Sequence, residues 1–197
     1  MKNILLLGDS IRQNYQEYVK ECLQGMAEVY YPNDNGRFCQ YTLRYLHEWT
    51  GALSMHGEFT FDIVHFNCGL WDILRLSNEE QPFTDERLYE ALLRRIIDRI
   101  KYLCPKAHLI FALTTKVIEP GFEPGITIGE RRNADIERYN KIAGIVCHDM
   151  GVEINDLYKI SEDLPKEAHS DMVHFETEMG IRALGAQVAE CLKQYCG

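Results

Sequence analysis

The chain has 197 residues, 46% of them hydrophobic and 26% charged, a composition that is typical of globular proteins and excludes a disordered one. Its net charge of -9 argues against nucleic acid and anionic membranes as partners, because both are bound through clustered Lys and Arg. No segment approaches the ~18 apolar residues of a membrane span, and the apolar run at residues 4–7 is too short for a secretory signal. Seven scattered cysteines without a Cys-x-x-Cys pair indicate neither a disulfide framework nor a zinc site. We therefore expect one domain, residues 1–197, with reduced thiols in the cytoplasm.

Strand and helix signals alternate along the chain, which is the pattern of a parallel sheet covered by helices on both faces. The predicted strands are residues 4–7, 27–31, 61–67, 107–113 and 152–154. The predicted helices are residues 13–23, 37–49, 85–103, 131–150 and 177–195. Residues 114–130 are rich in Gly and Pro and are predicted to form a loop that covers a site, whereas 157–170 form a loop or a short helix.

Polar residues are concentrated just after the predicted strands. In parallel sheets of this kind, ligands bind beyond the carboxyl ends of the strands. The residues at those ends are Asp9 and Ser10, 33–36, 67–72, Thr114 and Thr115, and Asn155 and Asp156. The sequence therefore predicts the functional face of the molecule at this edge of the sheet.

Ser10 lies at the predicted junction of the first strand and the first helix. Gly8 permits the sharp turn that this junction needs, and the helix N-terminus can stabilise an anion formed beside the serine hydroxyl. A simpler interpretation is that Asp9 or Ser10 only caps the helix.

Asp171 and His174 lie near the end of the chain, three residues apart in a predicted turn. At this spacing the carboxylate can accept a hydrogen bond from one imidazole nitrogen while the other nitrogen faces a cleft. The pair thus has the composition of the base and orienting residue of a catalytic triad, although many Asp-x-x-His pairs are ordinary surface pairs.

Taken together, these segments resemble the SGNH (GDSL-type) esterase and lipase superfamily. The resemblance consists of Gly8-Asp9-Ser10, a Gly-containing block after the second strand, Gly69-x-x-Asp72, and Asp171-x-x-His174 before the last helix. It implies Ser10 as nucleophile, His174 as general base and acid, and Asp171 as the orienting carboxylate. It also implies the backbone N–H groups of Ser10 and Gly36 as oxyanion donors, although Gly36 can equally belong to a plain Asn-Gly turn.

The third block departs from the family pattern, because Trp71 stands where an oxyanion-donating Asn is expected. We predict Asn67 as the substitute donor, with Asn35 as a second candidate. Trp71 is either an aromatic wall against the substrate or a packed core residue. Candidate substrate contacts are Asp9, which can also brace the turn, together with Asn35, Trp71 and Thr114. We expect Arg131 and Arg132 on a solvated helix end.

Three rival interpretations differ in chemistry. His169-x-Asp171-x-x-His174 could be taken for a metal site, but the sequence offers no fourth ligand and Ser10 would then have no role, so we predict no metal. A non-catalytic carbohydrate-binding relative would explain the altered third block, but not the intact triad residues. A flavodoxin-like phosphoacceptor domain would need an acidic cluster for magnesium near Asp9, which the sequence lacks.

The sequence thus predicts a three-layer α/β/α fold with a flavodoxin-like, five-stranded parallel sheet in the order 2-1-3-4-5. It predicts a serine esterase that uses no cofactor and hydrolyses short-chain carboxylic esters. By family analogy, the preferred substrate is an acetyl ester of a sugar or oligosaccharide. A thioesterase or lysophospholipase would use the same residues. We expect neither nucleic acid nor membrane as a partner, and the sequence does not indicate the oligomeric state.

Overall fold

A five-stranded parallel sheet forms the centre of the fold. A computed structural model describes residues 1–121 and 129–197. The strands of this sheet are β1 (Lys2–Leu7), β2 (Ala27–Tyr30), β3 (Ile63–Phe66), β4 (His108–Ala112) and β5 (Glu153–Asn155). They are arranged in the order β2-β1-β3-β4-β5, with every neighbouring pair parallel. The predicted fold class and strand order are confirmed.

The central strands are apolar because helices cover both faces of the sheet. Ile4–Leu7 of β1 are all buried, as are all four residues of β3. A strand buried on both faces has no polar side to expose, so its sequence is a continuous apolar run rather than an alternating one. Because β1 lies between β2 and β3, its carboxyl end opens at the middle of the sheet edge.

Six α-helices form from the described residues: α1 (Ser10–Cys22), α2 (Cys39–Leu53), α3 (Glu86–Leu103), α4 (Asn133–Met150), α5 (Leu157–Glu162) and α6 (Glu178–Lys193). On one face of the sheet α1 packs against α6, and on the other α2, α3 and α4 pack side by side. Asp85 caps α3 by accepting hydrogen bonds from the N–H groups of Arg87 and Leu88. Gly151, with φ 64°, ends α4 in the left-handed conformation that favours glycine.

An antiparallel ribbon of two short strands, Arg75–Leu76 and Gly129–Glu130, was not predicted. Residues 157–170, predicted as a loop or a short helix, contain α5 and a 3₁₀ helix at Lys166–Ala168. Segments of two or three residues carry no hydrophobic period, so nothing in the sequence marks them. Of the predicted covering loop at 114–130, residues 122–128 lie outside the described residues. Among the helices that the structure describes, none has the length and hydropathy that crossing a bilayer needs.

Candidate active site

The turn between β1 and α1 places Ser10 as the first residue of α1. Asp9 caps the helix, with its Oδ1 accepting a hydrogen bond from the Ile11 N–H at 3.0 Å. Gly8 has φ +150°, and a Cβ atom there would lie 1.8 Å from Oδ1 of Asn67. Only glycine fits this turn, both for its backbone conformation and for the close approach of Asn67.

Ser10, His174 and Asp171 form a continuous hydrogen-bonded series. Nε2 of His174 lies 2.9 Å from Oγ of Ser10, and Nδ1 of His174 lies 2.7 Å from Oδ2 of Asp171. The side chains of His174 and Asp171 are 12% and 15% exposed, so the series is largely shielded from water but open at one side. The structure therefore brings together the three residues that the sequence singled out.

The loop that carries His174 is fixed from within and by α1. Oδ1 of Asp171 accepts hydrogen bonds from the N–H groups of Val173 and His174, at 2.6 and 2.8 Å. The carbonyl of His174 accepts a further bond from the N–H of Ser170 at 2.9 Å. Asn14, one turn after Ser10 in α1, accepts a longer bond of 3.3 Å from the N–H of Phe175. Hydrogen bonds of the loop backbone thus fix the position of the His174 side chain, in addition to its bonds to Ser10 and Asp171.

These bonds also keep Asp171 ionised. Burial disfavours its charged form, but the hydrogen bonds from the His174 side chain and from two backbone N–H groups outweigh that cost and lower the pKa of Asp171. An ionised carboxylate at this position requires the proton on Nδ1 of His174. Nε2 is then left as the acceptor that faces Ser10.

Asp9 is completely buried beneath the turn, where burial raises its pKa, although the Asn67 side chain and the Ile11 N–H oppose the rise. Since no part of Asp9 is exposed, the structure does not support a direct substrate contact for it. Its hydrogen bond to Ile11 favours the alternative in which Asp9 braces the turn.

Gly36 is brought to the site, but its N–H group is already used. It donates to the carbonyl of Gly8 at 2.8 Å. The backbone amide that the family resemblance assigns to the oxyanion is therefore committed to residues 8–10, which we call the nucleophile turn after the predicted role of Ser10. Oδ1 of the neighbouring Asn35 accepts from the N–H of Arg37 at 2.8 Å, which makes Asn35 part of the loop's own structure. We therefore do not retain Gly36 as a free oxyanion donor.

Asn67 follows β3 and packs against the nucleophile turn, with 7% of the residue exposed. Its Oδ1 is the atom that faces Gly8 and has no hydrogen-bond partner among the described residues. Asn67 also lines a small cavity beside Asp9 and Ile11, with room for about one water molecule. Of the two predicted amides, Asn67 is the one that contacts the nucleophile turn.

Trp71 is partly exposed, and its indole Nε1 is buried without a partner among the described residues. The guanidinium of Arg131 lies over its ring, 5.8 Å from the ring centroid. The prediction of a solvated Arg131 is wrong, because this residue is 2% exposed and its Nε donates to the carbonyl of Leu70 at 2.7 Å. Arg131 therefore holds the loop that carries Trp71.

Thr114 is buried at the end of β4 and lines the same small cavity as Asn67. Its backbone N–H and carbonyl are both bonded to the side chain of Asn140, at 2.8 and 2.9 Å. This pair of bonds ties the strand end to α4. Thr114 therefore belongs to the wall of the cavity, and its predicted contact with the substrate stays a prediction.

The side chains of His169, Asp171 and His174 do not converge on one point. The ring of His169 packs on that of Phe175, with 4.0 Å between the ring centroids, whereas Asp171 and His174 bond to each other. Within residues 1–121 and 129–197 no group of three or more His, Cys, Asp or Glu side chains is arranged to hold a metal ion.

Arg12 was not predicted as a functional residue; it is 0% exposed and lies two residues after Ser10. Arg12 lies in the first turn of α1, where the helix dipole disfavours a cation, so its burial depends on specific partners elsewhere in the fold. Those partners are backbone carbonyls of the loop after β2, and no sequence pattern marks them.

Neither protein-family models nor curated protein sequences match this chain. Several solved structures, in contrast, are similar to this chain over nearly its whole length. A lipase/acylhydrolase from Enterococcus faecalis is 22% identical, with a TM-score of 0.74, over 99% of this chain and 97% of that chain. The acetyl xylan esterase AlAXEase is 15% identical, with a TM-score of 0.72, over 96% and 99%. A member of the lipolytic G-D-S-L family from Veillonella parvula is 16% identical, with a TM-score of 0.65, over 96% and 97%.

These similarities extend over nearly the whole chain, so the chain has the fold of the GDSL-type lipases and acylhydrolases. At 15–22% identity they establish the fold alone. Function has to be argued from the site.

Proposed function

We propose that the chain is a serine esterase of the SGNH (GDSL-type) superfamily that hydrolyses short-chain carboxylic esters. The observation that carries this proposal is the series Ser10–His174–Asp171, with hydrogen-bond distances of 2.9 and 2.7 Å. A nucleophile, a base and an orienting carboxylate at these distances constitute the geometry of acyl transfer through a covalent intermediate. The shared fold of lipases and acylhydrolases supports the same conclusion.

In this proposal Ser10 attacks the ester carbonyl while Nε2 of His174 takes the hydroxyl proton. His174 then returns that proton to the leaving alkoxide, and an acyl-enzyme remains on Ser10. A water molecule, activated by His174, releases the acid and restores the serine. The ionised Asp171 stabilises the transient imidazolium and fixes its orientation.

The oxyanion that forms on attack needs hydrogen-bond donors. The N–H of Ser10 belongs to the first helical turn, whose N–H groups have no partner within the helix. We assign the amino group of Asn67 as the side-chain donor, because the carbonyl end of that amide is turned toward Gly8. This assignment supplies two donors and replaces the Asn that Trp71 displaces in the third block.

For the substrate we propose an acetyl ester of a sugar or oligosaccharide. The partly exposed Trp71, on the loop that follows β3, offers an aromatic face to a sugar ring. One structure with the same fold is an acetyl xylan esterase. Thioesters and lysophospholipids would be attacked through the same residues, so the length of the preferred acyl chain separates these alternatives.

The first experiment compares Ser10→Ala with the unchanged protein in hydrolysis of p-nitrophenyl acetate. We expect nearly complete loss of activity with an unchanged circular dichroism spectrum, because only the hydroxyl is removed. Ser54→Ala is the matched control, since Ser54 lies at the far end of α2. A Ser10→Ala protein that keeps its rate would exclude the serine mechanism, and loss of activity with EDTA that metal restores would favour a metal-dependent one.

The second experiment is an acyl-chain profile, with p-nitrophenyl esters from acetate to decanoate. If the substrate is an acetyl ester, kcat/KM should be highest for acetate and fall as the chain lengthens. A maximum at long chains would replace the proposed sugar acetylester with a lysophospholipid or a long-chain thioester. Release of acetate from acetylated xylo-oligosaccharides would then test the sugar directly.

A further inference from the structure

The guanidinium of Arg12 is completely buried behind the nucleophile turn, and the oxygens that accept its hydrogen bonds all belong to neutral groups. Nη1 donates to the carbonyl of Pro32 at 3.0 Å and to the side chain of Gln16, and Nη2 donates to the carbonyls of Asp34 at 2.5 Å and of Gly8 at 3.3 Å. No carboxylate of the residues that the structure describes lies within 4.0 Å of it, as an ion pair would require. A buried arginine without a paired carboxylate is unusual, because its desolvation is costly.

The partners of Arg12 belong to two segments that meet beside Ser10. The first is the nucleophile turn, through the carbonyl of Gly8. The second is residues 32–36, which we call the β2–α2 loop. The same Gly8 carbonyl also accepts a hydrogen bond from the N–H of Gly36 at 2.8 Å. One oxygen atom is therefore the acceptor for both the Arg12 guanidinium and the loop backbone.

The two backbones are in such close contact that the position of each depends on the other. A Cβ atom on Gly36 would lie 2.8 Å from the carbonyl oxygen of Gly8. The far side of the loop is bound by α2, where Thr42 donates to the carbonyl of Gly36 at 2.7 Å. A shift of the loop by one ångström would therefore move the Gly8 peptide and, with it, the backbone of Ser10.

We propose that Arg12 is a positioning residue that joins the nucleophile turn and the β2–α2 loop into one rigid unit. This inference rests on the proposed function, because the benefit of the rigid unit is the alignment of Ser10 with its oxyanion donors. Arg12 does not touch the substrate, since no part of it is exposed. Burial lowers its pKa to about 10, so the guanidinium remains charged at neutral pH and keeps all of its donors.

A displaced nucleophile affects turnover more than substrate binding. Misplacement by about 1 Å can reduce a rate roughly a hundredfold even when the mutated residue is not in contact with the reacting atoms. We therefore expect Arg12→Lys to lower kcat for p-nitrophenyl acetate by roughly 10- to 100-fold while KM changes less than about threefold. Lysine keeps the charge but cannot reach the carbonyls of both segments at once.

The second measurement does not depend on catalysis. In Arg12→Lys the amide hydrogens of residues 33–37 should exchange with solvent at least about tenfold faster, because the Gly36 N–H loses its fixed acceptor. The exchange rates of amide hydrogens in α4 should change only by the amount that a change in global stability explains. Arg12→Gln and Arg12→Met extend the series and should show larger effects on both readouts.

Two controls separate positioning from general destabilisation. Gln13→Ala removes an exposed bond of 3.2 Å to the carbonyl of Asn33 in the same loop and should leave kcat within about twofold. Val146→Ala weakens the distant core of α4 and should lower stability without lowering kcat. A proportionate loss of kcat in Val146→Ala would show that stability alone governs the rate.

The inference is overturned if folded Arg12→Lys keeps its kcat, or if residues 33–37 keep their protection. It is also overturned if none of the three Arg12 variants folds, since Arg12 would then serve the whole fold. The proposed function can fail separately. If Ser10→Ala retains activity, the esterase mechanism is wrong, whereas the hydrogen-exchange result still reports whether Arg12 holds the loop.

Discussion

Asn67 is the proposed substitute for the oxyanion-donating Asn whose expected place in the third block is taken by Trp71. If its amino group is the oxyanion donor, Asn67→Ala should reduce kcat roughly a hundredfold, with KM little changed, because the donor acts mainly on the transition state. The measurement is steady-state kinetics with p-nitrophenyl acetate. Asn3→Ala, at the opposite end of the sheet, serves as the control. A rate within a few fold of the unchanged protein would transfer the donor role to another group.

Asp171 allows a sharper test of the triad. Its Oδ1 accepts two backbone N–H groups, so in Asp171→Asn the amide oxygen keeps that position and the NH₂ group faces Nδ1 of His174. The imidazole must then carry its proton on Nε2 and can no longer accept one from Ser10. We expect kcat to fall roughly a thousandfold or more while the fold is retained. A loss below tenfold would show that Asp171 does not set the tautomer.

The turn between β1 and α1 is the element on which the site depends. In Gly8→Ala the new methyl group would collide with Asn67, at 1.8 Å, and the backbone would remain at φ +150°. We expect the variant either to misfold or to lose ester hydrolysis, because Asn67 and the turn cannot both keep their positions. Circular dichroism and p-nitrophenyl acetate kinetics distinguish the two results.

Gly25→Ala is the matched control for this element. Gly25 also has a positive φ, +79°, but a Cβ atom there would have no neighbour within 4 Å. Only backbone strain remains, so we expect a loss of about 1 kcal/mol in stability and an unchanged rate. Equal effects at both glycines would mean that strain alone, rather than the contact with Asn67, explains the requirement at Gly8.

The elements themselves were largely predictable, because hydrophobic periodicity records which faces are buried. The apolar run at residues 4–7 predicted β1, and the repeat from Leu88 to Leu103 predicted α3 within a residue at each end. Ser10, Asp171 and His174 were predicted together from the family resemblance, and the structure brings their side chains into one hydrogen-bonded series.

The contacts of Arg12, Gly36 and Arg131 were not predictable, because each residue donates a hydrogen bond to a backbone carbonyl that is distant in the chain. Arg12 bonds to Pro32 and Asp34, Gly36 to Gly8, and Arg131 to Leu70. Backbone carbonyls are the same at every residue. Such contacts therefore leave no mark on the sequence, and a charged or glycine residue read alone is assigned to the surface or to a turn.

At the scale of the whole molecule, buried titratable groups link stability to pH. His65 is completely buried and its Nε2 lies 3.2 Å from Nδ2 of Asn155; burial lowers the pKa of His65 to about 4. Between pH 6.5 and 4 the unfolded chain binds a proton there and the folded chain does not, so acid weakens the fold. Between pH 6.5 and 4 the free energy of unfolding of His65→Gln should therefore fall by roughly 3 kcal/mol less than that of the unchanged protein. Urea unfolding at pH 4, 5 and 6.5 provides the measurement.

Asp72 has the opposite effect on the pH dependence of stability. Burial raises its pKa to about 6, against hydrogen bonds from Thr84 and the Cys39 backbone. Between pH 6 and about 4 the folded chain binds the proton and the unfolded chain does not, so this group adds stability as the pH falls. Over the same pH range the free energy of unfolding of Asp72→Asn should therefore fall by roughly 3 kcal/mol more than that of the unchanged protein. Parallel pH curves for all three proteins would contradict both assignments.

The hydrogen bond between Ser10 and His174 joins residues that are 164 positions apart in the chain. A site assembled in this way is incomplete on the ribosome until the segment that carries His174 has been synthesised and has docked. In renaturation experiments, recovery of turnover would accordingly mark the completion of assembly, later than the recovery of helix content.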